Sequence, residues 1–176
     1  MRTWILPLIC LPLLAKTPEW EQAHMLFESS NFKQAVATLE KASKNDADNL
    51  LLLGQSYMEL QKHGDAVDVL EKATQVAPKR ADAFVWLGRA LGRLAETNKL
   101  LAFGRARKAK AAFEKAVELD PKNRDALDDL FEFYIEAPSL VGGGLDKAER
   151  VAKIVAALDA NDGEDMLARV ARERKK

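Results

Sequence analysis

Four groups of residues carry the chemistry this chain could do. Gly142-Gly143-Gly144 stands just before a helical stretch, where a phosphate-cradling loop would stand. Such a loop needs Gly-Lys-Ser/Thr, so that Lys meets phosphate and the hydroxyl meets magnesium. Leu145-Asp146-Lys147 follows instead, and Asp146 puts a carboxylate where the anion would sit. Asp146 therefore reads as an N-terminal helix cap. The glycines read as a tight turn that tucks Leu140 and Val141 under the hairpin before it. Asp125, Asp128, Asp129, Glu132 and Glu136 recur at helical spacing and form one acidic stripe. A calcium loop instead gathers its oxygens around a glycine turn, and paired-acid hydrolysis needs two carboxylates in unlike surroundings across a cleft. His24 and His63 have no Asp/Ser or Cys/His partner pattern. His63 beside Gly64 reads as an exposed turn residue, and His24 as a hydrogen-bonding group on a groove. Arg105, Arg107, Lys108 and Lys110 can face an acidic partner or solvent, but lack the interleaved aromatics of a nucleic-acid surface. The expectation is a chain that is not an enzyme, with no catalytic, metal or cofactor-binding residues.

Composition agrees with that. The 176 residues hold 27 Lys plus Arg against 27 Asp plus Glu, which excludes a generally basic nucleic-acid binder and an acidic disordered tail. Apolar residues make up 48%, as in a globular chain. One cysteine excludes a disulfide framework. Locally the charge alternates. Residues 17–77 carry 5 basic and 10 acidic groups, net −5. Residues 89–122 carry 9 and 4, net +5; residues 124–168 carry 4 and 11, net −7. The last eight carry 5 and 1, net +4. Such a pattern steers a complementary partner, and leaves head-to-tail homo-oligomers open.

The first fifteen residues read as a signal peptide rather than fold. Met1, Arg2 and Thr3 make a short positive start, and Trp4 to Leu14 is apolar. That run is too short to span a bilayer, which needs about twenty residues, but suits a secretory signal cleaved after Ala15. The expected location is periplasmic or secreted, with no transmembrane helix in the mature chain. The alternative is an uncleaved N-terminal anchor.

The remaining chain is built from repeats. Ala47-Asp48, Leu50, Leu53-Gly54 and Tyr57 return 34 residues later as Ala81-Asp82, Phe84, Leu87-Gly88 and Leu91. Ala66, Leu70-Glu71-Lys72-Ala73 and Pro78 return 43 residues later as Ala109, Phe113-Glu114-Lys115-Ala116 and Pro121. An earlier copy, Ala35, Leu39-Glu40-Lys41-Ala42, lies 31 residues before. Ala66, Leu70, Ala73 share one helix face, while Gly54 and Gly88 allow close helix contact. These residues resemble the tetratricopeptide repeat, a helix–turn–helix unit of about 34 residues. The resemblance implies an all-α, right-handed solenoid of about four repeats, at 16–46, 47–80, 81–123 and 124–161. A capping helix over 162–176 follows, entered through Asn161-Asp162-Gly163. Expected helices run over 18–29, 32–44, 48–61, 64–77, 81–95, 99–119, 123–136, 145–158 and 162–174.

The third repeat is nine residues too long at its internal turn, and the fourth about five. The insertions, 96–108 and 137–144, should lie side by side. From 80 to 160, the Phe133-Tyr134, Ala137-Pro138 and Gly142-Gly143-Gly144 signature resembles small bacterial envelope proteins of this repeat class. Carrying over the family's phase, the first helices line a concave groove. Its residues are Trp20, His24, Phe27, Leu51, Gln55, Met58, Val85, Arg89, Arg93, Asp128 and Glu132. Trp20, Phe27, Met58 and Arg89 are the expected anchors. Chaperone-binding members hold a terminal carboxylate with Lys and Asn; Trp20, Leu51, Val85 and Asp128 stand at those places, so that clamp is absent. The reading is a protein–protein interaction module or scaffold binding a protein or peptide, not nucleic acid, along this groove. The alternatives are a self-associating assembly element and a small-ligand or enzyme role at the two insertions.

Overall fold

The computed structural model describes residues 16–176, so the expected signal segment lies outside the described residues. Helices pair in chain order: α1 Pro18–Glu28 with α2 Phe32–Leu39, α3 Ala47–Glu59 with α4 His63–Val76, α5 Ala81–Thr97 with α6 Lys99–Leu119, and α7 Arg124–Glu136 with α8 Leu145–Leu158. A 3₁₀ turn, Ser139–Val141, interrupts the last pair, and α9 Ala160–Glu173 packs on α8. Among the described residues every regular element is helical. First helices α1, α3, α5 and α7 stack side by side, which makes the chain an all-α solenoid.

Local chemistry sets the helix ends. Thr17, Asp46, Asn98, Asn123 and Asp159 each accept a backbone N–H with the side chain, satisfying donors that the first turn leaves free. Ala77 and Asp120 leave helical angles immediately before Pro78 and Pro121. The first two pairs turn on Ser30 and Gln61, both left-handed at φ 59° and 58°. In each turn the following amide reaches back along the helix, Asn31 to the Leu26 carbonyl and Lys62 to that of Tyr57.

The repeat is held by one joint used twice. A Cβ built on Gly54 would lie 2.5 Å from Leu70, and one on Gly88 would run into the Phe113 ring. Leu70 is wholly buried and Phe113 nearly so. Each glycine therefore seats its partner helix's large side chain directly on the backbone. A second joint links successive pairs. The Tyr57 hydroxyl donates to Glu40 at 2.6 Å, and the Tyr134 hydroxyl to Glu114 at 2.8 Å. The middle junction has Leu91 at that place, and Glu71 there meets Lys108 at 3.7 Å instead.

Two expectations change. Helix α2 ends at Leu39, not 44, because Lys41 and Ala42 bond three residues back and the Ser43 hydroxyl takes the Asn45 amide. Helix α9 begins at Ala160, so Gly163 lies inside its first turn rather than in a lead-in loop. A Cβ there would collide with the Ala156 backbone; Gly163 is where α8 and α9 touch. The third pair's extra residues lengthen its helices to 17 and 21 residues, against 13 and 14 in the second pair.

Candidate partner-binding site

A groove of about 630 Å³ opens among α3, α5 and α7, walled by Met58, Trp86, Arg89, Arg93 and Asp129 and edged by His63. Arg89 is its fixed centre. Its Nε donates to Asp129 at 2.5 Å and its Nη2 to Asp125 at 3.0 Å. Its guanidinium lies 5.0 Å from the Trp86 ring centre. Burial works against the charge on Arg89, but the two carboxylates outweigh it and raise its pKa. Asp129 is held above the ordinary carboxylate range by burial, which Arg89 only partly offsets. Arg93 stands at the mouth, mostly exposed, 3.5 Å from Glu96. The arrangement offers an apolar wall, a fixed cation already matched by acids, and an exposed cation at the rim.

Of the expected groove residues, the structure gathers Met58, Arg89 and Arg93 around this cavity. Leu51 and Val85 are corrected: they are 6% and 2% exposed and belong to the core. The groove face of α5 runs through Asp82, Trp86, Arg89 and Arg93, so its stripe passes one residue beyond Val85. Trp86 was the readable signal, a large aromatic on an otherwise polar stripe. Asp129, 40 residues from Arg89 in sequence, had none. His63 is also corrected: it is half-buried, begins α4 and lines the cavity. Gln55 is half-buried and outside the lining.

Trp20, His24 and Phe27 form a separate aromatic surface on α1. The Trp20 and His24 rings stack at 4.6 Å, Lys16 lies over Trp20 at 4.8 Å, and Phe27 meets Phe32 edge-on at 5.2 Å. Asp128 and Glu132 are taken up by the far end of the chain. Arg124 bonds Asp128 at 2.7 Å and Asp162 of α9 at 2.5 Å, and Arg169 of α9 pairs with Glu132. The acidic stripe is thus divided, with Asp125 and Asp129 serving Arg89 and the rest tying down the capping helix.

The triple glycine is a structural turn. The Gly142, Gly143 and Gly144 amides donate to Ser139, Pro138 and Tyr134 carbonyls at 2.9, 3.2 and 2.9 Å. Gly142 is left-handed at φ 104°, and a Cβ on Gly143 would overlap the Ala137 carbonyl. All three glycine amides are thereby spent within the turn, which leaves none of them for an anion. Asp146 is not the cap, which is Gly144; it sits in the first turn of α8, 2.5 Å from Arg174. Val141 is buried as expected, but Leu140 stands 74% exposed. Among the described residues no cluster of three acidic, His or Cys side chains could hold a metal, and no helix is long and apolar enough to cross a membrane.

The groove sits where stacked helix pairs leave a shared inner face, and comparison with known families identifies the stack. The tetratricopeptide-repeat family models match residues 51–96 and 100–123. The chain carries tetratricopeptide repeats. Residues 15–73 also match the model of anaphase-promoting complex, cyclosome, subunit 3. No curated protein matches the chain significantly. Among solved structures, TTC0263, a thermophilic tetratricopeptide protein of Thermus thermophilus, is 16% identical at a TM-score of 0.65, covering 90% of this chain and 91% of its own. YrrB, described as having an unusual peptide-binding site, is 18% identical at 0.65, covering 92% and 88%. The second repeat domain of human RPAP3, solved with the HSP70 peptide SGPTIEEVD, is 21% identical at 0.58, covering 65% and 91%. These likenesses establish the solenoid.

Proposed function

We propose that the chain is a non-enzymatic interaction module that binds an extended peptide segment of a partner protein in the groove between α3, α5 and α7. One observation carries this reading: Trp86 and Met58 form an apolar wall beside Arg89, whose charge Asp125 and Asp129 already match. A side chain of the ligand would pack on Trp86, and Arg93 would meet an acidic or carbonyl group at the rim. The peptides held or accommodated by RPAP3 and YrrB support a peptide here. With Leu51 and Val85 buried at the clamp positions, an internal stretch fits better than a chain terminus. The signal-like start supports a location in the bacterial periplasm or exported space. The Ala137-Pro138 and triple-glycine signature supports kinship with small envelope proteins of this class.

The test is a random peptide library selected against the chain. The expected binder loses at least about tenfold in affinity for Trp86→Ala, as hot-spot truncations do. It also weakens for Arg93→Glu, an exposed substitution that leaves the fold alone. Selection that yields no binder, or a binder indifferent to both folded variants, removes the groove as the site.

A further inference from the structure

The end of the α5–α6 hairpin is built unlike the rest of the surface. Large apolar side chains that stand exposed among the described residues concentrate there: Leu100 is 89% exposed, Leu101 49% and Phe103 40%. Leu140, 74% exposed, joins them from the second insertion, because Val141 and Pro138 line, with Phe103 and Ala106, a shallow and mostly apolar depression whose one charged wall group is Glu96, already facing Arg93 at 3.5 Å. The hairpin projects because both its helices exceed those of the second pair. Behind the tip the sequence runs basic: Arg105, Arg107, Lys108 and Lys110 fall within six residues. Arg105 donates to the Leu94 carbonyl at 2.9 Å and Lys110 meets Glu114 at 3.4 Å, which leaves Arg107 and Lys108 as the exposed cations of the run. Arg107 lies 5.6 Å from the Phe103 ring centre, and Lys108 is mostly exposed.

We propose that this tip docks on an anionic lipid surface, with Leu100, Leu101, Phe103 and Leu140 entering the boundary between headgroups and acyl chains. The depths match. Helix rise places Arg107 and Lys108 about 6–12 Å behind the apolar residues. Interfacial segments bury their apolar face by about 5–10 Å, so the cations fall at the headgroups. Lys and Arg stems reach further by lying along apolar surface with the charge in water. A second copy fits poorly, since two like tips would set basic runs face to face. A partner helix fits less well than a bilayer. One lying in the depression would leave the two most exposed groups, Leu100 and Leu140, in water. This inference is independent of the peptide groove.

The experiment floats the full chain with vesicles of phosphatidylcholine, with and without roughly one part in three phosphatidylglycerol. Binding is expected only with the anionic lipid and is weakened by salt. Leu100→Ser with Leu140→Ser lowers partitioning by at least about tenfold, since burying even one Leu is worth that much. Arg107→Glu weakens the anionic preference. Leu100, Leu140 and Arg107 are exposed and lie outside the joints between pairs, so helicity and melting stay unchanged. Trp4 to Leu14 is itself an apolar run, so all variants keep residues 1–15. A polarity-sensitive dye on Leu140→Cys, with Cys10→Ser, reports the tip directly and shifts blue on binding. The proposal is overturned by a chain that ignores anionic vesicles, by flotation unchanged in the Leu variant, or by flotation without a dye shift. Vesicle indifference with loss of a protein ligand in the Leu variant would make the tip a protein-docking surface instead.

Discussion

The second and third helix pairs share one joint and differ at their turns. In both, a glycine of the first helix receives a large side chain of the second, Leu70 on Gly54 and Phe113 on Gly88. The second pair closes on Gln61, whose left-handed angle makes a short turn. The third runs on through longer helices and meets at Asn98, which is extended. Variation therefore enters at the turns, where packing is loose, and stops where a Cβ has no room. The same division explains the surfaces: the constrained faces build the core and the groove, while the lengthened turn carries the exposed apolar tip.

The largest effect expected from breaking this comparison is at the shared joint. Gly88→Ala should cost about 3 kcal/mol and Gly54→Ala about 1–2 kcal/mol, read from urea midpoints at constant slope. The ordering follows from the receiving group. Leu70 can change rotamer to accept a methyl, whereas the flat Phe113 ring has no smaller profile to present to a Cβ directly above it. Equal losses would mean that the backbone spacing, not the ring, sets the cost.

A smaller effect separates two carboxylates on the same inner face. Burial pushes Asp48 up, but Lys16 and Arg80 outweigh it and hold it below the ordinary range. Asp129 goes the other way. Their pH signatures are opposite in sign. Asp48 stabilises the fold above the unfolded carboxyl value of about 3.9, and that contribution fades as pH falls through its lower folded value. Wild type should therefore lose ground to Asp48→Asn below about pH 4. Asp129 binds its proton more tightly when folded, so wild type should gain on Asp129→Asn as pH falls from its raised value toward about 4. Denaturation of the three chains between neutral and acid pH measures both slopes. Parallel slopes would show that Arg89 and Arg80 serve their acids alike.

How far these features could be read from residues alone follows from the range of the interaction behind each. Ala66, Leu70 and Ala73 are fixed by helical period, and Pro78 and Pro121 by local sterics, so the repeat and most helix limits were legible. That Met58, Arg89 and Arg93 share one face of the stack was legible, but the full stripe was not, because one residue separates Val85 in the core from Trp86 on the surface. Asp129 escaped because its choice of Arg89 depends on how α5 and α7 stack. The pairing of Asp128 and Glu132 was hidden for the same reason. Their partners, Arg124 and Arg169, are engaged with or belong to α9, whose docking rests on the bare Gly163 backbone against Ala156. Residue type alone could not separate Gly163 from a turn residue, because glycine serves turns and close contacts equally.

The smallest effect concerns the turns themselves. Ser30 and Gln61 hold φ 59° and 58°, where a side chain costs roughly 1–2 kcal/mol that glycine does not incur. Glycine returns part of that gain through its larger unfolded freedom, about 0.4–1 kcal/mol. Ser30→Gly and Gln61→Gly should thus each stabilise by about 0.5–1 kcal/mol, a rise of roughly 1–4 °C in melting temperature for a chain of this size. The two are alike in backbone but not in place, since Gln61 edges the groove and Ser30 does not. Ser30→Gly should leave peptide binding untouched, while Gln61→Gly removes a polar side chain from the rim. If only Ser30→Gly stabilises, Gln61 makes a contact across the groove that offsets its backbone strain, and the second pair's turn belongs to the binding surface as well as to the fold.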